Sequence, residues 1–175
     1  MANVVVIGAG LAGLPAAYEL RHLLPHNHTV TLISNEPNFT FIPGLIQVAL
    51  DLKPLTHVQL DLSRLARRHG LNLVLGKVTA LDPQARSVSV EGESVIQYDY
   101  LAIATGASLA FDQIPGLGPE DGYTQSVCTP SHALSARQAW LDFLNHPGPI
   151  VVGAAPSAGC FGPAYEFALM ADHEL

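Results

Sequence analysis

The stretch Val4-Val5-Val6-Ile7-Gly8-Ala9-Gly10-Leu11-Ala12-Gly13 decides the fold. Four consecutive apolar residues read as a buried strand of a parallel sheet. The glycines that follow are spaced G-x-G-x-x-G. Gly8 allows a tight turn, Gly10 lets the backbone approach a pyrophosphate, and Gly13 lets the next helix pack close to the strand. That helix, read from Leu11 to about Leu24, carries Leu14, Ala17, Tyr18, Leu20, Leu23 and Leu24 as its apolar residues. Its N-terminal N–H groups and positive dipole end point toward phosphate. A glycine-rich turn alone is weak evidence. Here it follows a strand, opens an apolar helix and leads to a second strand, Thr29-Val30-Thr31-Leu32-Ile33. That context is one of a bound dinucleotide.

The chain of 175 residues is 49% hydrophobic and only 13% charged, which fits parallel strands covered on both faces. Its formal net charge is −7, with eight Lys and Arg. Arg64, Arg67 and Arg68 cluster on one short helix and read as a solvated face, so no nucleic-acid partner is expected. No apolar run reaches the length of a transmembrane helix, and the N-terminus lacks the pattern of a signal peptide. Cys128 and Cys160 are too few and too far apart for a zinc site or a disulfide scaffold. His22, His26 and His28 straddle a helix end and a turn, and read as surface histidines. No metal is expected.

Dinucleotide folds usually place an acidic residue at the end of the second strand, to hold the ribose hydroxyls. Here Ser34 and Asn35 stand there, with Glu36 just beyond. Phe39-Thr40-Phe41-Ile42-Pro43-Gly44 reads as a loop with apolar faces, for core packing or as a wall against a flat ring. Asp61 or Ser63 caps a short helix ending at Gly70. Leu71-Asn72-Leu73-Val74-Leu75 is a third strand, expected beside the first. Residues 77–81, 87–90 and 94–97 read as short antiparallel strands, turned at Asp82-Pro83 and Glu91-Gly92-Glu93. Tyr98 to Gly106 is expected as a buried strand ending in the small-residue turn Ala104-Thr105-Gly106.

Residues 111–124 are rich in Pro and Gly and read as a surface connection. Thr129 as N-cap and Pro130 at the first helical position start a helix to about Leu144. Pro149-Ile150-Val151-Val152 reads as a new strand, followed by a degraded glycine turn in which Ala155 replaces the close-approach glycine. A helix then begins after Cys160. The fold class is therefore α/β: a Rossmann-like domain with a parallel sheet and a β-meander insertion, plus the truncated start of a second Rossmann-like domain. The divisions are 1–112, a connection and helix over 113–148, and the second domain's start over 149–175. A strand-turn-helix cannot bury its apolar face alone, so the chain reads as a fragment of a longer protein.

Four residues are candidates for chemistry. Cys160 lies at a helix start behind a glycine-rich approach, an environment that stabilises a thiolate. Cys128 also adjoins a helix start. The alternative for each is a small buried hydrophobe. His132, in the first turn of its helix, suits a neutral imidazole acting as base, or a capping or surface histidine. Glu166, among Ala164, Tyr165, Phe167 and Ala168, is set up to move protons, or else lies exposed on the outer face.

A β-meander inserted in a nucleotide fold, then a strand ending Ala-Thr-Gly, resembles the two-dinucleotide-binding-domain flavoproteins, which hold FAD in the first domain. The chain is similar to the N-terminal part of the sulfide:quinone oxidoreductases within that group, relatives of flavocytochrome c sulfide dehydrogenases and type II NADH dehydrogenases. The resemblance spans nearly the whole chain. It rests on residues 4–13, 30–35, 39–43, 98–106 and 125–129, and above all on Gly159-Cys160-Phe161-Gly162-Pro163-Ala164-Tyr165-Glu166.

The resemblance implies FAD, held by Gly8, Ala9, Gly10, Leu11, Ala12, Gly13, Ser34, Asn35, Ile42, the Val78 backbone, Thr105 and Gly106. It implies that 1–112 is the FAD-binding domain. It implies that Cys160 is one of two sulfur-shuttling cysteines and Cys128 an auxiliary one. Sulfide would be oxidised to polysulfide or sulfur, and the electrons passed through FAD to quinone. The second redox cysteine, the last FAD-contacting segment, the quinone pocket and the membrane-docking C-terminus would lie beyond Leu175. The location implied is the prokaryotic cytoplasm or a membrane surface. The chain departs from the family at Gly44, where serine is common, and at Ala49-Leu50-Asp51, which lacks the usual glycine. The rival readings are an NAD(P)H-dependent flavoprotein reductase of the type II NADH dehydrogenase kind and a non-catalytic nucleotide-binding remnant.

Overall fold

A computed structural model describes all 175 residues. In chain order the elements begin with β1 (Asn3–Ile7), α1 (Gly13–Leu23), β2 (Thr29–Ser34), β3 (Asn38–Thr40), α2 (Leu45–Ala49) and β4 (Gln59–Asp61). They continue with α3 (Leu62–His69), β5 (Asn72–Leu75), β6 (Val78–Asp82), β7 (Ser87–Val90), β8 (Ile96–Gln97) and β9 (Tyr100–Ile103). The last two are α4 (Pro130–Asn145) and α5 (Gly162–Glu174). The chain forms two compact units, residues 1–40 with 59–108 and residues 41–58 with 109–175.

The first unit is built on a four-stranded parallel sheet in the order β5-β2-β1-β9. Successive side chains of β1 go to opposite faces. Val6, with Val30 and Leu32 of β2, packs against Leu14 and Ala17 of α1 and Leu62 of α3. Val5 and Ile7, with Ile33, pack against Val88 and Val90 of β7. Helices thus cover one face, and the antiparallel meander β6-β7-β8 lies against residues of the other. That explains the unbroken apolar run at 4–7. Val5 and Val6 are wholly buried, each stabilising the fold by about 1.5–3 kcal/mol. The Asp61 carboxylate caps α3 by accepting the Arg64 N–H at 2.7 Å, and Gly70 ends it in the left-handed conformation at φ 67°.

Three expectations are corrected in this unit. The third strand, β5, lies beside β2 and not beside β1, because β9 occupies the other edge of β1. There the Asn3 N–H donates to the Asp99 carboxylate at 2.7 Å, and the Asp99 N–H to the Asn3 carbonyl at 2.8 Å. Second, β9 is an edge strand and is not buried: Tyr100 is 67% and Ile103 62% exposed. Third, the loop read at Phe39-Thr40 is β3, paired antiparallel with β4 across a long excursion.

The second unit is helical. Leu45 and Val48 of α2 pack with Val58 and with Ala133 of α4. Ile46 and Leu50 pack with Trp140 of α4 and Ala171 of α5. Asp51, at φ 59°, follows α2, and its carboxylate accepts the Arg137 Nε–H at 2.6 Å. The strand expected at Pro149-Ile150-Val151-Val152 does not form, and Val151 is 95% exposed. The unit contains no strand, so this segment has no ladder to join.

Candidate functional site

In the first unit the parallel register brings the carboxyl ends of the strands level. Ile7 pairs with Ile33 and with Ile103, and Ser34 with Leu75. The residues that follow each strand share that edge, where open α/β sheets bind their ligands. The Gly8 N–H donates to the Ile33 carbonyl at 2.8 Å and the Ala104 N–H to the Ile7 carbonyl at 2.8 Å. The Gly76 N–H donates to the Ser34 carbonyl at 2.8 Å, leading the chain toward Val78 at the start of β6.

The three glycines of the turn have different surroundings. Gly8 has φ 100°, and a methyl there would come within 2.3 Å of the Ala104 carbonyl oxygen. A methyl on Gly13 would lie 1.8 Å from the Gly8 carbonyl oxygen. A methyl on Gly10 would meet nothing within 4 Å. Gly8 and Gly13 are therefore required by packing, whereas Gly10 faces open space. Ala9 is buried, while Leu11 and Ala12 are exposed before α1 begins. Thr105 and Gly106 are exposed beyond β9, with Gly106 at φ 74°.

Ser34 and Asn35 differ. Ser34 is buried, and its hydroxyl donates to the Glu36 carbonyl at 2.8 Å while accepting the Glu36 N–H at 3.2 Å. Its side chain thus shapes the turn. Asn35 and Glu36 are exposed at the edge.

The second unit holds Ile42, Cys128, His132, Cys160 and Glu166. Ile42 begins a short 3-10 turn to Gly44. Cys128 and Cys160 are both free and exposed. The buried-hydrophobe alternative is excluded for each. Cys160 lies two residues before α5. Glu166 is exposed on α5, so the apolar surroundings expected from its sequence neighbours are absent.

His132 is buried, and its backbone N–H donates to the capping Thr129 hydroxyl at 3.2 Å. Its Nε2 lies 2.5 Å from a carboxylate oxygen of Glu120, and its Nδ1 is buried without a partner. The Phe111 ring lies 5.6 Å away, tilted against the imidazole. The surface-histidine alternative is therefore excluded, and Glu120 is a partner that sequence reading missed. It sits in the Pro/Gly-rich connection, where no periodicity marks it.

The pyridine nucleotide-disulphide oxidoreductase model matches residues 2–162. The chain belongs to the pyridine nucleotide-disulphide oxidoreductase family. Within this family it is 39% identical over 173 residues to the sulfide-quinone reductase of Aquifex aeolicus, a match covering 99% of this chain and 39% of that one. The X-ray structure of the sulfide:quinone oxidoreductase from A. aeolicus superposes with a TM-score of 0.91 at 38% identity. That alignment covers 100% of this chain and 40% of the other. NDH2 from Plasmodium falciparum, at 24% identity and a TM-score of 0.67 over 82% of this chain and 30% of its own, shares the fold. The chain thus spans about two fifths of the length of its Aquifex relative.

Family membership with these relatives makes the chain homologous to flavoprotein oxidoreductases and implies FAD as its cofactor. The open space before Gly10, on a turn that fixes its neighbours by packing, fits a pyrophosphate. No helix is long and apolar enough to cross a membrane, and no group of histidine, cysteine and carboxylate side chains is arranged to hold a metal ion.

Proposed function

We propose that the chain carries the flavin-binding and first sulfur-handling parts of an enzyme that oxidises sulfide to polysulfide or sulfur and passes the electrons to quinone. The observation that carries this reading is Cys160: free, exposed and just ahead of α5. Its chain is 39% identical to a sulfide-quinone reductase over nearly all of its length.

The carboxyl edge of the first unit's sheet carries the residues that would hold FAD. The turn from Gly8 through Ala9, Gly10, Leu11 and Ala12 to Gly13 receives the pyrophosphate, with the N-terminus of α1 behind it. Asn35 holds the ribose, on a turn set by Ser34. The Val78 backbone, Thr105 and Gly106, at the same edge of the first unit, would complete the contacts. Bound FAD supplies a two-electron acceptor.

Hydrosulfide attacks a disulfide or polysulfide bridge that includes Cys160. One S–S bond forms as the bridge breaks, leaving a persulfide on one cysteine and a thiolate on the other. Cys128 serves as an auxiliary thiol. His132 is held in orientation by Glu120 through Nε2, because a carboxylate on one ring nitrogen fixes which nitrogen carries the proton. The exposure of Glu166 leaves it at most a peripheral part. Quinone and a membrane surface are partners of the whole enzyme.

Cys160→Ser tests the reading. In the full-length protein it is expected to abolish sulfide-dependent quinone reduction and to leave the flavin absorbance unchanged. Sulfide turnover retained by this variant refutes the role of Cys160.

A further inference from the structure

The first unit has a cleft of about 530 Å³ at the amino edge of its sheet, where β2 and β5 begin, opposite the glycine turn. Two sequence clusters that lie more than a helix apart meet there. α1 brings Tyr18, Arg21 and His22; the turn after it brings His26 and His28; α3 brings Arg68 and His69. The lining includes no Asp or Glu, although the chain as a whole carries a net charge of −7. Half of the eight histidines of the chain line this one cleft.

Not all of these groups are free. Arg21 donates to the carbonyls of His28 at 2.6 Å, Leu24 at 2.7 Å and Pro25 at 2.8 Å. It neutralises the chain reversal after α1 and forms a wall. His28 Nδ1 accepts the Ala2 N–H at 2.9 Å. Arg68, His22, His26 and His69 remain exposed, and none takes part in the two ion pairs of the protein. His69 stacks on Tyr18 with ring centroids 3.9 Å apart, which holds its imidazole in place. The Tyr18 hydroxyl is buried without a partner. Burial pushes the Tyr18 phenol up, and the positive charge of Arg68 pulls it partly back, so Arg68 acts on this hydroxyl.

We propose that this cleft binds a phosphate-type oxyanion, with Arg68 as the fixed charge and His22, His26 and His69 as further donors. A guanidinium presents paired N–H groups to phosphate oxygens, and a protonated imidazole adds two more donors. The overall negative charge of the chain opposes anions at long range, so affinity comes from these local contacts and weakens with salt. A metal ion is a poorer occupant, because the side chains form no ligand cluster.

The test is calorimetric titration with inorganic phosphate at pH about 6, where imidazoles in general carry more positive charge than at neutral pH, with imidazole resonances followed by NMR. Saturable binding that shifts the His69 signals is expected. Arg68→Gln is expected to weaken it about fivefold or more. Arg64→Gln, on the same helix but outside the cleft, is expected to leave it unchanged. His26→Gln, in the turn and clear of the stacked pair, gives a second reading independent of helix folding. No saturation, or affinity unchanged from the unaltered protein in both Arg68→Gln and His26→Gln, overturns the assignment. Phosphatidylglycerol vesicles separate the sources: co-sedimentation lost in Arg68→Gln assigns a lipid headgroup, and phosphate binding without co-sedimentation assigns a free anion.

Discussion

A methyl group on Gly13 would stand 1.8 Å from the Gly8 carbonyl oxygen, and one on Gly10 would touch nothing. The same substitution at these two positions therefore separates folding from cofactor binding. Gly13→Ala must push α1 away from β1 and is expected to cost about 1–3 kcal/mol or more, read as a lower urea midpoint. Gly10→Ala is expected to leave stability within about 0.5 kcal/mol while weakening FAD binding by about tenfold or more, read by flavin fluorescence titration. An unchanged flavin affinity in Gly10→Ala removes the turn from the cofactor site. The packing role of Gly13 was legible in the sequence because G-x-G-x-x-G is a local pattern and that glycine's task is set within a few residues. The partner of Gly8, Ala104, was not, because it arrives from β9 at the far end of the unit's chain.

Elements with local signals behave in the same way. α3 is eight residues long, too short to persist without help, and both of its ends are held. Asp61 satisfies the Arg64 N–H at the start, and Gly70 takes the left-handed conformation at the end. Asp61→Ala is expected to lower stability by about 1 kcal/mol, measured by urea denaturation, while Asp61→Ser, which keeps an acceptor, recovers most of it. Equal losses in the two variants would mean that the cap carries none of the stability. The caps, the meander turns and the helix after Thr129 were readable because the residues that make them are neighbours. The pairing of β3 with β4 was not, because Thr40 finds Gln59 only after an excursion through the second unit. The reverse error occurred at Pro149 to Val152: its composition is that of a strand, but a strand needs an edge, and its unit offers none. His132 shows the same limit at the candidate site. Its helix position was readable, but the Glu120 carboxylate that pairs with its buried imidazole lies across an aperiodic connection.

At the scale of the whole chain, regular structure is unevenly spread. The first unit threads its sheet through alternating strands and helices, and its central residues are wholly buried. Between the end of α4 at Asn145 and the start of α5 at Gly162 there is neither helix nor strand. This connection includes Ser157 at φ 63° and the exposed residues Val151, Gly159 and Cys160. A protease needs an extended, accessible segment of backbone, so cleavage concentrates where burial and ladder hydrogen bonds are missing. Limited digestion with a protease of broad specificity is therefore expected to cut first between Pro147 and Cys160. It would sever the chain between α4 and α5 while the fragment holding β1, β2, β5 and β9 persists. Mass spectrometry of the first products checks this. A first cut within residues 1–108 would mean that the parallel sheet, and the glycine turn at its carboxyl edge, opens more readily than this connection. Because Cys160 lies in the connection, rapid nicking there also separates two properties of the chain. The nicked protein should retain flavin binding through the first unit's turn, while the thiol, still ahead of α5, is no longer joined through the chain to α4.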